Sequence, residues 1–203
     1  MLTEANRSLN LTRVPPDEFV TLHFLDSLSL AAALSPRPGD RLIDVGTGAG
    51  FPGVPLALAY PELSVTLLDG TRKRLDFIDS AIAELAISNA RTLHGRAEDI
   101  SRQSTHRCGY DIATARAVAK LPHLAGWMLP LVRPSGHAVA YKSQDVDAET
   151  EDARPAIARL GGTVERVVEV ALPESQIVRK LIILDKLPSA MAVRSAVRKR
   201  SVS

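Results

Sequence analysis

The chain of 203 residues holds a single cysteine, Cys108, so it cannot close a disulfide within itself; this fits a reducing, cytoplasmic location. Its five histidines and Cys108 show no zinc-ligand spacing, and no metal is expected. The longest apolar run, around residues 28–34, is too short to cross a bilayer. The start, Met1-Leu2-Thr3-Glu4, lacks the basic and apolar regions of a secretory leader, so no signal peptide is expected; with the short apolar runs, no membrane partner is expected either. Excess charge is missing too. With 25 basic against 23 acidic residues, a nucleic-acid face would have to arise from local clustering. What is present, 45% hydrophobic and 24% charged residues, suits one globular domain with a full core.

Two further absences narrow the ligand. Leu42-Ile43 and Val45 read as a buried strand running into Gly46-Thr47-Gly48-Ala49-Gly50. A dinucleotide fingerprint would need glycine at position 51, where Phe51 stands. A P-loop would need Lys-Ser or Lys-Thr after the last glycine, and neither follows. The remaining pattern, Asp44-x-Gly46-x-Gly48-x-Gly50, lets backbone turn sharply and approach a ligand, with Pro52 suited to the first turn of a following helix. It resembles the S-adenosylmethionine (SAM) loop of class I methyltransferases, which implies Asp44 near the cofactor's ammonium. Asp69 ends a β-branched strand 19 residues after Gly50, close to the spacing of a ribose-binding carboxylate. The same aspartate would also serve as the N-cap of a helix over 72–86.

Taken in order, residues 1–40 are expected to form an N-terminal helical segment, 41–186 the SAM-binding domain and 187–203 a basic tail. Asp17 is placed to cap a helix carrying Phe19, Val20, His23, Phe24, Ser27 and Leu28, which on residue types alone packs against the core. Strands are predicted over 91–94, 110–114 and 136–142, with helices over 54–60, 118–131 (Pro122 in its first turn) and 145–160. Strands over 163–172 and 178–186 close the sheet as a hairpin. Strands alternating with helices make this an α/β chain with a doubly wound, mostly parallel, Rossmann-like sheet and a C-terminal antiparallel hairpin. The tail, with Lys186, Arg194, Arg198, Lys199 and Arg200 and no acid, reads either as a nucleic-acid contact or as a solvated end.

The acceptor is narrowed by elimination. Cys108 precedes the fourth strand, at the end opposite the cofactor, and is badly placed for covalent attack on a pyrimidine. The Asn/Asp-Pro-Pro-aromatic loop of exocyclic-amine methyltransferases is absent after that strand, where Thr114-Ala115-Arg116-Ala117 stands. An acceptor needing neither covalent attack nor proton removal fits best. Arg116 stands at the carboxyl edge of the sheet, placed to grip the cofactor carboxylate or a base, or else to cap the next helix as a surface residue.

From Asn6 to Lys186 the chain resembles the RsmG family, also called glucose-inhibited division protein B. The matching pieces are Asn10-Leu11-Thr12, His23-Phe24-Leu25-Asp26-Ser27, Asp44 through Gly53, Leu68-Asp69, His94 through Glu98, Arg116-Ala117, Trp127 through Pro134, and Tyr141-Lys142. The resemblance implies SAM-dependent methylation of guanine N7 in 16S ribosomal RNA, by a monomer acting on the small subunit. It implies cofactor contacts from Gly46, Phe51, Asp69, Ala97, Glu98 and Arg116. His23, Asp26, Ser27 and Lys142 would line the acceptor side, Arg116 between the two. The chain departs from the family at Leu22, where arginine is expected, at Ala115, where serine is expected, and in its tail. The alternatives are a small-molecule methyltransferase or a non-catalytic paralogue that binds SAM or RNA.

Overall fold

A computed structural model describes residues 1–116, 119–143 and 146–188. Ala117 and the tail arginines and lysine from Arg194 to Arg200 lie outside them, so the tail's expected role has no structural counterpart.

Five parallel strands, β1 (Arg41–Val45), β2 (Ser64–Asp69), β3 (Ala90–His94), β4 (Tyr110–Arg116) and β5 (Val132–Lys142), form most of the sheet. Two more, β6 (Gly162–Ala171) and β7 (Val178–Lys186), run antiparallel as the expected hairpin. The order is β3-β2-β1-β4-β5-β7-β6, with β7 inserted beside β5 in the register His137↔Asp185 to Lys142↔Lys180. This is the sheet of class I methyltransferases. The order reverses between β1 and β4, and a crevice opens past the carboxyl ends of strands at such a switch point.

The central strands are apolar at successive positions because both faces are covered. Neighbours along a strand point to opposite faces, so Ile43 packs with Leu124, Met128 and Ile157, while Leu42 packs with Leu56, Leu75 and Ile78. The helices that cover these faces are α2 (Gly53–Ala59), α3 (Arg72–Glu84), α4 (Ala97–Ile100), α5 (Leu121–Met128) and α6 (Asp147–Arg159), after an N-terminal α1 (Leu2–Leu9). Pro122 does fall in the first turn of α5, where its missing N–H removes no helical bond. No helix among the described residues is long and apolar enough to cross a membrane.

The N-terminal segment departs from the expected single helix. Pro15, not Asp17, precedes a 3-10 turn over Pro16–Glu18, and Asp17 makes no capping bond. A π-helical turn, Val20–Leu25, follows, then short α-helical turns at Asp26–Leu28 and Leu30–Ala33. Such wide turns occur mostly as single insertions in helices, often at functional sites. Here the segment bends over the crevice, and Leu30 and Ala33 enter the core beneath, with Leu28 and Leu34 packed against it.

Gly53 begins α2 against β1 and β2. A Cβ there would stand 2.1 Å from Leu67 Cδ2 and 3.0 Å from Asp44 Oδ2, whereas one at Gly126 in α5 would meet nothing within 4 Å. Gly53→Ala should therefore destabilise by about 1–3 kcal/mol, and Gly126→Ala should stabilise by about 0.4–1 kcal/mol. Urea unfolding of both variants checks this, and equal midpoints would contradict it.

Candidate active site

An open cleft of about 1040 Å³ lies at the switch point. Its floor is the loop after β1, which closes on itself by the Gly50 and Phe51 N–H groups donating to the Thr47 carbonyl. Gly48 has φ +61°, which disfavours any side chain, and a Cβ there would meet no protein atom nearer than Gly46 O at 3.9 Å. Its N–H donates to Asp69 Oδ2 at 3.0 Å, so the end of β2 holds the loop open. Gly50 serves packing instead: a Cβ would press on Val54 Cγ2 at 2.7 Å, and the residue is absent from the cleft wall.

Of the expected cofactor residues, Gly46, Gly48, Phe51 and Arg116 line the cleft, and Asp44, Gly50, Asp69, Ala97 and Glu98 do not. Asp44 is fully buried beneath the loop, where its carboxylate accepts the Gly53 N–H at 2.9 Å and the Thr114 hydroxyl at 3.3 Å. Its spacing gives its place at the strand end, but the free N–H at the start of α2 draws the carboxylate there. Burial pushes its pKa up to about 6. Asp69 accepts the Gly48 and Thr71 N–H groups and lies 3.5 Å from Arg74 Nη1. Thr71, rather than Asp69, occupies the cap position of α3. Ala97 is buried and Glu98 exposed on α4.

The opposite wall is built around Phe51. The His23 ring stacks on it at 4.3 Å and 9°, Phe24 meets it edge-on at 5.5 Å, and Arg116 Cζ lies 5.3 Å from its centroid. Arg116 is no surface cap. Its Nη1 donates to Leu22 O in the π-helical turn and to Asp26 Oδ2, both at 2.9 Å. Its Nη2 lies 3.2 Å from His23 Nδ1. Because a guanidinium only donates, Nδ1 must accept and the proton sits on Nε2, which donates to Thr12 Oγ1 at 2.8 Å. Burial first, then the Arg116 charge, pushes the His23 pKa down to about 4, so the imidazole is neutral. Asp26, 1% exposed, accepts a second bond from Arg179 Nε at 2.9 Å. Ser27 does not reach the cleft: its hydroxyl donates to His23 O, and its own carbonyl accepts the buried Tyr141 hydroxyl.

Lys142 closes the far wall. Its Nζ donates to Ala119 O at 2.9 Å and to Glu149 Oε1 at 2.8 Å, and that oxygen also accepts the Leu121 N–H. Burial pushes the Glu149 carboxyl up, but these two bonds with the Lys142 and Lys120 charges outweigh it, leaving the pKa below the usual range. Sequence reasoning missed Arg179 and Glu149, since only the insertion of β7 and the packing of α6 bring them here. A cluster of His137, Glu165 and Asp185 places three ligand-type atoms within 4.8 Å of one another, but none of these residues lines the cleft and Glu165 is paired with Arg166.

Fold and loop define the class: a class I SAM-dependent methyltransferase, whose glycine loop leaves ligand room beside Gly48. The chain matches, over residues 1–178, the family described as GidB: rRNA small subunit methyltransferase G. "Ribosomal RNA small subunit methyltransferase G" from Thermoanaerobacter sp. is 41% identical over 188 residues, 92% of this chain and 78% of that protein. Its namesake from Lachnoclostridium phytofermentans is 43% identical over the same shares. Among solved structures, TrmN from Thermus thermophilus superposes with a TM-score of 0.61 at 23% identity, covering 79% of this chain and 48% of TrmN. The chain belongs to the GidB, or methyltransferase G, family.

The two shifted pKa values set opposite pH slopes. The folded His23 pKa, about 4, lies below the ordinary 6.5, so its contribution to stability is whole above 6.5 and lost as pH falls towards 4. Asp44, raised from 3.8 to about 6, favours the fold at low pH and loses that contribution as pH rises through 6. Urea unfolding between pH 4 and 6.5 should show a shallower rise of stability with pH in His23→Gln and a steeper rise in Asp44→Asn. Parallel curves would contradict both assignments.

Proposed function

We propose that this chain transfers the SAM methyl group to N7 of a guanine in 16S ribosomal RNA, acting as a cytoplasmic monomer on the small subunit. The carrying observation is that the segment resembling the family's His-Phe-Leu-Asp motif meets the residues beyond the glycine loop at one cleft: His23 and Phe24 pack on Phe51, and Asp26 holds Arg116. SAM supplies an electrophilic methyl group, held by Gly46, Gly48 and Phe51 on the loop side. Asp69 supports it by fixing Gly48, and the family resemblance, rather than the cleft lining, assigns Asp69 to the ribose and Ala97 and Glu98 to the adenine.

Both ring nitrogens of His23 are engaged, one as acceptor and one as donor, so the histidine that lines the cleft does not stand ready as a base. Guanine N7 needs none, because its lone pair is free. The side chains therefore work by alignment and exclusion of water, and well-held reactants can lower a barrier by roughly 7–11 kcal/mol at best. The target base must leave any stack to enter the cleft. Arg116 spends three contacts on Leu22, Asp26 and His23, so its role is to hold the acceptor wall rather than to grip a free carboxylate.

The test is transfer of labelled methyl from SAM to small subunits lacking the modification, followed by mapping. One 7-methylguanine in the 16S RNA is expected, with Asp69→Ala weakening SAM binding by roughly 1.5–3 kcal/mol through the lost charge-assisted bonds. SAM binding without transfer would favour the non-catalytic paralogue, and methylation at another atom would overturn the reading.

A further inference from the structure

Resting on that reading, we propose that Glu149 is a positioning residue of the acceptor wall, acting through Lys142 both as a tether and as its counter-charge. One oxygen, Oε1, lies 2.8 Å from Lys142 Nζ and 2.6 Å from the Leu121 backbone nitrogen. Lys142 Nζ in turn reaches Ala119 O at 2.9 Å. One carboxylate on α6 thus joins the end of β5 to the beginning of α5. Lys142, Ala119 and Glu149 all line the cleft, as do their neighbours Lys120, Ser143 and Val146. A lysine side chain is long and loses much rotamer freedom when fixed. Two acceptors already hold this one, and among the described residues its third N–H meets no partner, which leaves it for a ligand.

The counter-charge follows from the chemistry. As the N7 lone pair forms the new N–CH₃ bond, the S–CH₃ bond breaks and its electron pair stays on sulfur. No proton is released, so the guanine becomes a cation. An uncompensated ammonium beside it would oppose that charge as it develops, and in a water-poor cleft such an effect is large. Glu149 cancels the ammonium charge without removing its donor. On the opposite wall Asp26 stands against Arg116 and Arg179, and on this side Glu149 is, among the described residues, the carboxylate in contact with Lys142.

Glu149→Gln retains an acceptor for Leu121 and Lys142 but removes the charge. Single-turnover methyl transfer to small subunits should fall about tenfold. SAM affinity, the KM for subunits and the melting temperature should stay near wild type. In a Lys142→Met background the same change should have no further effect, because there is no ammonium left to balance. Equal transfer by wild type and Glu149→Gln would overturn the role of Glu149. So would a tenfold loss that persists in the Lys142→Met background, or one that tracks a fall in melting temperature. Wild-type protein that transfers nothing to small subunits would instead sink the underlying reading, and this role with it.

Discussion

Asp26 is the constraint on which the cleft depends. A carboxylate with 1% exposure is costly to bury unless its oxygens are matched, and here Arg116 and Arg179 match one each at 2.9 Å. The three groups come from the N-terminal segment, β4 and β7, so the ion cluster fastens that segment to the two strands beneath it. The same Arg116 sets the tautomer of His23 and lies over Phe51, and Phe51 follows the glycine loop. One buried charge therefore links the acceptor wall to the cofactor floor.

The arrangement explains a division of labour among the acids. Asp44 and Asp69 lie behind the loop and shape it through backbone N–H groups of Gly53, Gly48 and Thr71. Asp26 and Glu149 lie along the cleft, each countering cations that β4, β5 and β7 bring to the site. A reaction that moves positive charge from sulfur to a base gains wherever a cation beside it has a carboxylate in contact, as Lys142 has Glu149. No general base is required, and the neutral, doubly engaged His23 provides none.

Much of this was legible in the sequence, and the limits have physical causes. The glycine loop, the succession of strands along the chain up to β5 and the closing hairpin follow from local pattern: turn residues, period-two apolar runs and helix breakers. Asp44 and Ser27, expected at the ligand through the resemblances, lie outside the cleft lining, because a matched motif gives position along an element and not the direction of a side chain. Both are drawn inward by backbone partners, Gly53 N–H for one and His23 O for the other. The helix expected from Asp17 became a 3-10 turn, a π-helical turn and short α-helical turns, since tertiary bonds to Leu22 O and Asp26 override local preference. Arg179 lies 153 positions from Asp26, and no local pattern joins two such residues.

The most direct test of the Asp26–Arg116–His23 linkage is ¹⁵N NMR of the His23 ring as a function of pH. The neutral Nε2–H tautomer should persist from pH 7 down to about 5, with protonation setting in only near pH 4. A ring that titrates near the ordinary 6.5, or that carries its proton on Nδ1 at neutral pH, would contradict the arrangement on which the cleft is built.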